Sequence, residues 1–425
     1  MQWINVLSTQ PSLESALREV VEQAQKQMQA EQRQPVLAGA GTAVSLPATP
    51  TRPDLAILFV SGAFASEYSR VMPLLQELLD VEVLIGGSGG GVIGAGQEVE
   101  DSPAISLSLA YLPHVRIQPF HLEAEQLPDL DAPPDAWIER IGLDPFGRGG
   151  LSSQPNFILL ADGFSSNISD LLRGLDFAYP AAVKVGGLVS GGRAPGENAL
   201  FFKHKGDYQR FRTGTVGVAL AGNLRMDAVV AQGCRPIGHP LQVTDSENNI
   251  ILKLADRPPL EVLQALVADL SPSDQKLVRH SLFMGVLMNE FKGDPEPGDF
   301  LIRVLMGIDP TTGAMAIGDR IRPGQTIQFH LRDAQTSAED LEWVLSRYRD
   351  AHLEHPQPLA ALMFACLGRG YHLYQQANFD SKTFRHWLGS MPLSGFFCNG
   401  EIGPVGDTTF LHGYTSAFAI LRPAI

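Results

Sequence analysis

A set of side chains near the C-terminal end of the sequence could bind a charged small molecule. The candidate ligand contacts are Cys366, Arg369, Phe397, Cys398, Asn399, Glu401 and His412. They lie at or after the ends of predicted strands, and strand ends that share one sheet edge form a crevice. Arg369, between two glycines, could bind a carboxylate through two hydrogen bonds, and Glu401 could accept from an ammonium group. The set therefore indicates a zwitterionic ligand such as an amino acid, with Phe397 and Cys398 as walls of the pocket.

Two other interpretations of these residues stay open. Arg369 and Glu401 could form a structural ion pair inside the core. Alternatively, Cys366 could be a thiol nucleophile with His412 as its base, which would make the chain a hydrolase or a transferase. Buried cysteines more often only pack, so the sequence favours a binding protein that is not an enzyme. None of the 11 histidines belongs to an H-x-x-x-H pair, and no metal site is predicted.

Two glycine-rich segments match motifs with known chemistry. Residues 89–94 match the dinucleotide fingerprint G-x-G-x-x-G, and residues 86–90 match the nucleophile elbow G-x-S-x-G. Both motifs need a helix to follow them. Here a turn follows, with three acids in residues 98–101 that would repel a phosphate. The sequence therefore favours a backbone role for these glycines over cofactor binding or catalysis.

One pattern occurs three times along the chain. Each copy starts with an apolar strand, at residues 56–60, 157–161 and 360–366, and continues through a helix to a second strand. Glycine loops follow, which open at Gly86, Gly186 and Gly395 and have a further glycine five positions later at Gly91, Gly191 and Gly400. A strand then returns. Because helical connections favour parallel pairs and the loop favours an antiparallel return, the repeat predicts mixed sheets flanked by helices.

The predicted fold class is mixed α/β (α+β) with two domains. The predicted divisions are an N-terminal helix and linker at 1–53, a first domain at 54–240 and a second domain at 241–425. The boundary is expected within residues 236–249, where prolines, glycines and a polar run indicate a connection. Residues 300–332 are predicted to form a β-meander. Ser337 is predicted to cap a helix, with Asp340 in its first turn.

Composition narrows the class of protein. The 425 residues carry a formal net charge of −14, with 44% apolar and 18% charged residues. This is a globular balance, and the negative charge disfavours nucleic acid and anionic membrane surfaces as partners. The three cysteines lie far apart, which argues against a disulfide framework and favours a reducing compartment. With no signal peptide or membrane-spanning run visible, the sequence predicts a cytoplasmic protein.

Several ungapped motifs are similar to those of the FIST family of sensory domains, over nearly all of residues 54–425. The N-terminal family pattern resembles segments 86–94, 185–187 and 233–238. The C-terminal pattern resembles segments 318–319, 329–333, 366–370, 395–404 and 411–415. The resemblance implies a signal-input domain that binds a small ligand such as an amino acid. Some relatives are linked to haem and nitric-oxide sensing, and others are fused to F-box proteins.

The predicted function is therefore an intracellular small-ligand sensor that needs no cofactor. Ligand binding would change the relation between its two domains. No output domain is recognisable in the sequence, so the signal would pass to a separate partner protein. The alternatives are a Cys366-dependent hydrolase or transferase, a haem-linked gas sensor, and a scaffold that binds only protein.

Overall fold

The computed structural model describes residues 1–32, 52–144, 154–293 and 295–424. Most of the linker expected before residue 54 lies outside these ranges. The first strands are β1 (Gln2–Ser8), β2 (Leu55–Ser61), β3 (Val83–Gly89), β4 (Gly91–Gly94), β5 (Gln97–Glu100), β6 (Ile105–Tyr111), β7 (Val115–Leu122), β8 (Asn156–Asp162), β9 (Lys184–Val189), β10 (Leu200–His204), β11 (Asp207–Phe211) and β12 (Thr215–Gly222).

The remaining strands are β13 (Leu224–Ala231), β14 (Arg235–Glu247), β15 (Ile250–Leu254), β16 (Leu282–Leu287), β17 (Phe300–Ile308), β18 (Met315–Ile317), β19 (Thr326–Leu331), β20 (Ala360–Cys366), β21 (Leu393–Cys398), β22 (Glu401–Val405), β23 (Thr408–His412) and β24 (Ser416–Pro423). The helices are α1 (Leu13–Gln32), α2 (Tyr68–Leu78), α3 (Pro134–Ile141), α4 (Ile168–Ala178), α5 (Pro259–Ala268), α6 (Pro272–Val278), α7 (Ala334–Ala351), α8 (Gly370–Tyr374) and α9 (Phe379–Leu388).

The described residues form three six-stranded mixed sheets and one closed barrel. The first sheet has the order β1-β6-β2-β3-β10-β11, the second β23-β22-β9-β8-β12-β7 and the third β13-β24-β20-β21-β4-β5. The barrel has the order β14-β15-β18-β17-β16-β19. Helix α1 packs on the first sheet, α4 on the second and α7 on the third. The predicted class, mixed sheets flanked by helices, is confirmed.

Each predicted repeat forms the centre of one sheet. The apolar strand pairs in parallel with the strand after its helix, β2 with β3, β8 with β9 and β20 with β21. The returning strands β6, β12 and β24 then pair antiparallel with those apolar strands. The apolar runs are buried along nearly their whole length because helices cover one face and the other sheets cover the other. The predicted strand order within the repeat is confirmed.

The glycine segments, predicted as loops, lie largely in strands, whereas Gly90, residues 190–192 and residues 399–400 lie between strands. The hairpin β4–β5 leaves the first repeat and pairs with β21 in the third sheet. The hairpin β10–β11 pairs with β3 in the first sheet, and β22–β23 pairs with β9 in the second. The hairpin of each repeat thus pairs with the sheet of another repeat, and these pairings connect the three sheets.

Close approach of two backbones explains why glycine opens each segment. A Cβ on Gly186 would lie 1.8 Å from the carbonyl oxygen of Leu159 on the neighbouring strand. At the equivalent Gly395 it would lie 1.8 Å from the carbonyl oxygen of Met363. No side chain fits at such distances, so the glycines give the second strand of each parallel pair its place.

The second strands of the three repeats end against one another. The amide of Ser190 donates to the Ser88 carbonyl at 3.0 Å, and the amide of Gly90 donates to the Ser190 hydroxyl oxygen at 2.8 Å. The Ser190 hydroxyl in turn donates to the Phe397 carbonyl at 2.5 Å. These contacts place the ends of β3, β9 and β21 at one centre, where the residues after β21 become buried.

The middle of the chain differs from the sequence prediction in three places. The predicted meander is part of the closed barrel, whose longest strand, β14, occupies most of the segment 236–249 that was expected to be a connection. Ser337 does not cap a helix, because α7 begins earlier and Asp333 accepts from the Thr336 amide at 2.7 Å. The domain division at residue 240 stays a prediction.

The N-terminal segment contains a strand that hydrophobic patterning did not reveal. Strand β1 pairs antiparallel with β6, and the predicted helix follows as α1. Strand β1 extends the first sheet, and its side chains Ile4 and Val6 pack in the core beneath α1. None of the helices in the described ranges is long and apolar enough to cross a membrane.

Candidate functional site

Three of the predicted contacts meet where β20 and β21 end. Cys366 and Cys398 are register partners on these parallel strands, and Glu401 opens β22 just beyond them. The Cys398 sulfur lies 3.3 Å from Glu401 Oε1 and 3.3 Å from the Ala365 carbonyl oxygen. Glu401 Oε2 accepts from the Thr415 amide at 3.0 Å. The Cys398 sulfur and the Glu401 carboxyl group are buried together, and the partly exposed Cys366 lies beside them.

Burial favours the protonated form of the carboxyl group in this cluster. Glu401 is fully buried, and burial raises its pKa to about 8. A thiol has one hydrogen, so Cys398 can donate to only one of the two oxygens near its sulfur. The thiol can donate to Glu401 Oε1 or to the Ala365 carbonyl oxygen. When Glu401 is protonated, its own hydroxyl can donate to the sulfur and the thiol can donate to Ala365, which leaves both polar groups satisfied.

Arg369, the predicted contact for a carboxylate, is fully buried immediately before α8. Its Nε and Nη2 donate to the Asp380 carboxylate at 2.7 and 3.1 Å, and Nη2 also donates to the Tyr374 hydroxyl at 2.5 Å. Burial alone would lower the pKa of Arg369, but the charge of Asp380 outweighs burial and raises it. The ion pair of Arg369 is therefore made with Asp380 on α9 and not with Glu401.

Two buried guanidinium nitrogens beside this ion pair, Arg369 Nη1 and Arg332 Nε, have no acceptor among the described residues. Arg332 follows β19, its Nη2 lies 3.4 Å from the Gly368 carbonyl oxygen, and its guanidinium lies 4.8 Å from the centre of the Tyr414 ring. Burial lowers the pKa of Arg332, and the charge of Arg369 lowers it further. Buried N–H groups without an acceptor are costly, so the two arginines favour an added anionic acceptor.

A cavity of about 430 Å³ lies between the start of the barrel and α7, and neither of these two arginines is among its lining residues. Its lining residues are Cys234, Arg235, Pro236, Glu296, Thr336, Glu339, Asp340 and Trp343. Gly233, next to the lining residue Cys234, is hydrogen-bonded to α7 on both sides. Its amide donates to Asp340 at 2.7 Å, and its carbonyl accepts from Ser337 at 3.0 Å. A Cβ on Gly233 would lie 3.1 Å from Arg369 Nη1. The unpartnered nitrogen of Arg369 therefore lies directly behind the cavity wall.

The cavity lining is acidic. Its carboxylates belong to Glu296, Glu339 and Asp340. Burial raises the pKa of Asp340, and the cationic Arg235 in the lining is paired with Asp274. Trp343, 41% exposed, supplies an aromatic wall. This lining can accept hydrogen bonds from an ammonium group and pack against the apolar part of a small ligand.

Three residues of this region, Cys234, Arg332 and Asp340, are absent from the sequence-predicted set. Cys234 and Arg332 lie in segments 233–238 and 329–333, two of the motifs that resemble the family pattern, and that was the available signal. Asp340 lies at the cavity, where it accepts a hydrogen bond from the Gly233 amide, and Gly233 lies 107 residues away in the sequence. Spacing along the chain gives no indication of such a contact.

The other predicted contacts lie apart from the cavity. Phe397 packs in the core of the third sheet, and Asn399 is exposed at the turn after β21. His412 Nε2 lies 3.0 Å from the Gly403 carbonyl oxygen, and burial lowers the pKa of this histidine to about 4. No hydrogen bond joins it to Cys366 within the described residues, and burial raises the pKa of the Cys366 thiol to about 11. The contact between nucleophile and base that thiol catalysis requires is not present.

The side chains of this region do not match a metal or haem site. Within the ranges that the structure describes, no group of three His, Cys, Asp or Glu side chains is placed to hold a metal ion. No histidine lines the 430 Å³ cavity, and burial raises the pKa of its one thiol, Cys234, to about 12. Because thiols bind metal as thiolates, this lining does not fit an axial ligand for haem.

Comparisons with known proteins cover both parts of the chain. The model of the FIST N domain matches residues 54–257, and the model of the FIST C domain matches residues 259–404. An uncharacterised protein of Mycobacterium tuberculosis is 35% identical over 376 residues, which span 87% of this chain and 91% of that protein. One from Mycobacterium bovis is 35% identical over 369 residues, spanning 87% and 90% of the two chains.

A more distant likeness is confined to part of the chain. The human F-box only protein 22 is 29% identical over 121 residues, which are 25% of this chain and 29% of that protein. FIST domains are recognised as small-ligand-binding sensory domains of signal transduction. With both domain models matched in order and together spanning most of the sequence, the chain belongs to the FIST family.

Proposed function

We propose that this protein is a cytoplasmic sensor that binds an amino acid in the cavity of about 430 Å³ between the barrel and α7. The observation that carries the proposal is the pair of unpartnered donors, Arg369 Nη1 and Arg332 Nε, next to an acidic cavity. A carboxylate is the acceptor that two guanidinium groups favour most, since charge-assisted hydrogen bonds are the strong ones. The free thiols of all three cysteines support a reducing compartment.

The other end of the ligand would face the acidic lining. Glu339 and Asp340 would accept from its ammonium group, and Trp343 would pack against its side chain. Of the sequence-predicted contacts, Arg369 would touch the ligand directly. We propose that Cys366, Cys398 and Glu401 support it as a buried layer near the arginine, while Phe397, Asn399 and His412 remain predictions without a contact to the cavity.

Binding would change the placement of the barrel. Residues 233–234 link β13 in the third sheet to β14 in the barrel, and they form the wall between the cavity and Arg369. A carboxylate that reaches Arg369 must shift this link, which couples occupancy to the relation between the sheets and the barrel. A separate partner protein would read that change. The proposal includes no catalytic step: burial raises the pKa of the Cys366 thiol to about 11, and no hydrogen bond joins this thiol to His412 within the described residues.

Thermal unfolding against a panel of amino acids tests the proposal. A ligand that binds only the native state raises the unfolding midpoint, with about 2.7 kcal/mol of stabilisation at a hundred times its dissociation constant. We expect at least one amino acid to shift the midpoint saturably. No shift with any member of the panel would overturn the proposal.

Two variants on α7 serve as site test and matched control. Glu339→Gln removes a carboxylate from the cavity lining, whereas Glu342→Gln makes the same change at an exposed position of the helix. The first should weaken binding about tenfold and the second should leave it unchanged. Equal affinities in the two variants would place the ligand elsewhere.

A further inference from the structure

A second, cationic groove lies between the barrel and the second sheet, apart from the acidic cavity. One part of it, about 540 Å³, is lined by Arg173, Glu290, Asp319, Arg320, Arg322 and the turn 323–325. A neighbouring part of about 240 Å³ shares Arg173 and Asp319 with it and continues to Arg303 and Thr408. The groove therefore brings arginines from α4 and from the loop after β18 around one space.

The carboxylates of the groove are already engaged. Asp319 pairs with Arg303, whose Nε lies 2.8 Å from its carboxylate. Glu290 accepts from the amide and the hydroxyl of Thr326 at 2.7 and 2.6 Å. In contrast, Arg173, Arg320 and Arg322 form no ion pair with any residue that the structure describes. All three arginines are exposed, and they outnumber Glu290, the one carboxylate of this lining that no described cation neutralises, so the groove attracts anions although the chain carries a net charge of −14.

Neighbouring contacts hold these arginines on a rigid frame. Ile321, between Arg320 and Arg322, is buried, donates its amide to the Asn248 carbonyl at 2.9 Å and accepts from the Ser246 hydroxyl at 3.2 Å. The two arginines on either side of it therefore project outward from a fixed backbone.

The third arginine is fixed on the helix opposite. Arg173 lies on α4, and the acid one turn before it, Asp170, is bonded to Asn167. The acid one turn after it, Asp176, is bonded to Lys184 and Thr409. Neither acid of its own helix therefore neutralises Arg173.

We propose that this groove binds a small phosphate-bearing anion. Guanidinium groups match phosphate oxygens through paired hydrogen bonds, and three of them from two sides can surround a di- or trianion. Such a ligand would bridge α4 of the second sheet and the barrel. The proposal is independent of the amino-acid cavity, since the two linings share no residue.

Calorimetric titration of the intact protein with inorganic pyrophosphate, at constant ionic strength, tests this site. We expect saturable binding of one pyrophosphate. Arg173→Gln and Arg322→Gln should each weaken it about tenfold, because each removes a charge-assisted pair of hydrogen bonds. Arg322→Lys should lose less affinity than Arg322→Gln, because lysine keeps the positive charge but cannot form the paired hydrogen bonds of a guanidinium group.

Arg18→Gln is the matched control, because it removes the same charge from an exposed position on α1. It should leave pyrophosphate affinity unchanged, and an unchanged unfolding midpoint will show that each variant is folded. Absence of saturable heat with millimolar pyrophosphate would overturn the proposal. So would equal losses in Arg18→Gln and Arg173→Gln, which would indicate a diffuse charge effect.

Discussion

Glu401→Gln should stabilise this protein by an amount that grows with pH. The carboxyl is fully buried, accepts from the Thr415 amide and lies 3.3 Å from the Cys398 sulfur. Burial raises its pKa from 4.5 to about 8. A glutamine reproduces the neutral acid, because its carbonyl oxygen can accept from Thr415 while its amide donates to the sulfur.

The sign follows from the proton that the native state retains. Between pH 4.5 and about 8 the unfolded chain has released the Glu401 proton and the folded chain has not. The free energy of unfolding therefore falls by about 1.4 kcal/mol per pH unit across this interval, and levels off above it. The full interval amounts to about 5 kcal/mol. Glutamine does not titrate, so the free energy of unfolding of the variant does not fall with pH for this reason.

Urea unfolding of both proteins at pH 5, 6, 7 and 8 measures the effect. The difference in unfolding free energy between Glu401→Gln and the parent should increase steadily with pH, since all other titrating groups cancel. The exposed Glu342→Gln should lack this increase, because it removes no buried carboxyl group. If the difference for Glu401→Gln is equally flat, Glu401 is ionised in the native state and the nearby arginines carry its charge, contrary to the reasoning above.

Two further substitutions test the buried ion pair and the packing of the repeats. Asp380→Asn leaves the buried Arg369 cation without its partner and should lower the free energy of unfolding in urea by about 3–5 kcal/mol. The control, Asp350→Asn at an exposed ion pair, should lower it by less than about 1 kcal/mol. Equal losses in the two variants would refute the buried pairing. Gly395→Ala places a Cβ 1.8 Å from the Met363 carbonyl oxygen and should abolish soluble expression. The control, Gly307→Ala, should be tolerated, because no atom lies within 4 Å of the added Cβ. A stable Gly395→Ala protein would contradict the close contact between the two strands.

The repeats were predictable because their signals are local. Apolar runs, helical stretches and evenly spaced glycines such as Gly86, Gly186 and Gly395 lie within each unit. The parallel pairs follow from them, since a helical crossover returns the chain in the same direction. The glycine segments were mistaken for loops because their permissive backbone is typical of turns, whereas here glycine admits a neighbouring strand. Which sheet receives each hairpin depends on contacts between repeats, and no local pattern encodes them.

The candidate site was predictable only in part for the same reason. Cys366, Cys398 and Glu401 meet because they follow strands of one repeat. The pairing of Arg369 with Asp380 instead of Glu401 depends on how α9 packs, and spacing does not reveal it. The cavity was not predicted, because its walls come from two distant segments, the start of the barrel and α7. The sequence of β14 resembled a domain linker, so the contact between β14 and α7 was not expected.

We expect a ligand carboxylate to bind the unpartnered nitrogens of Arg369 and Arg332. The most direct measurement is calorimetric titration of the parent protein with the amino acid that shifts its unfolding midpoint most, beside the carboxamide of that amino acid. We expect the amide, which keeps the ammonium group and the side chain, to bind about a hundredfold more weakly, because two charge-assisted hydrogen bonds are lost. Equal affinities would contradict this expectation.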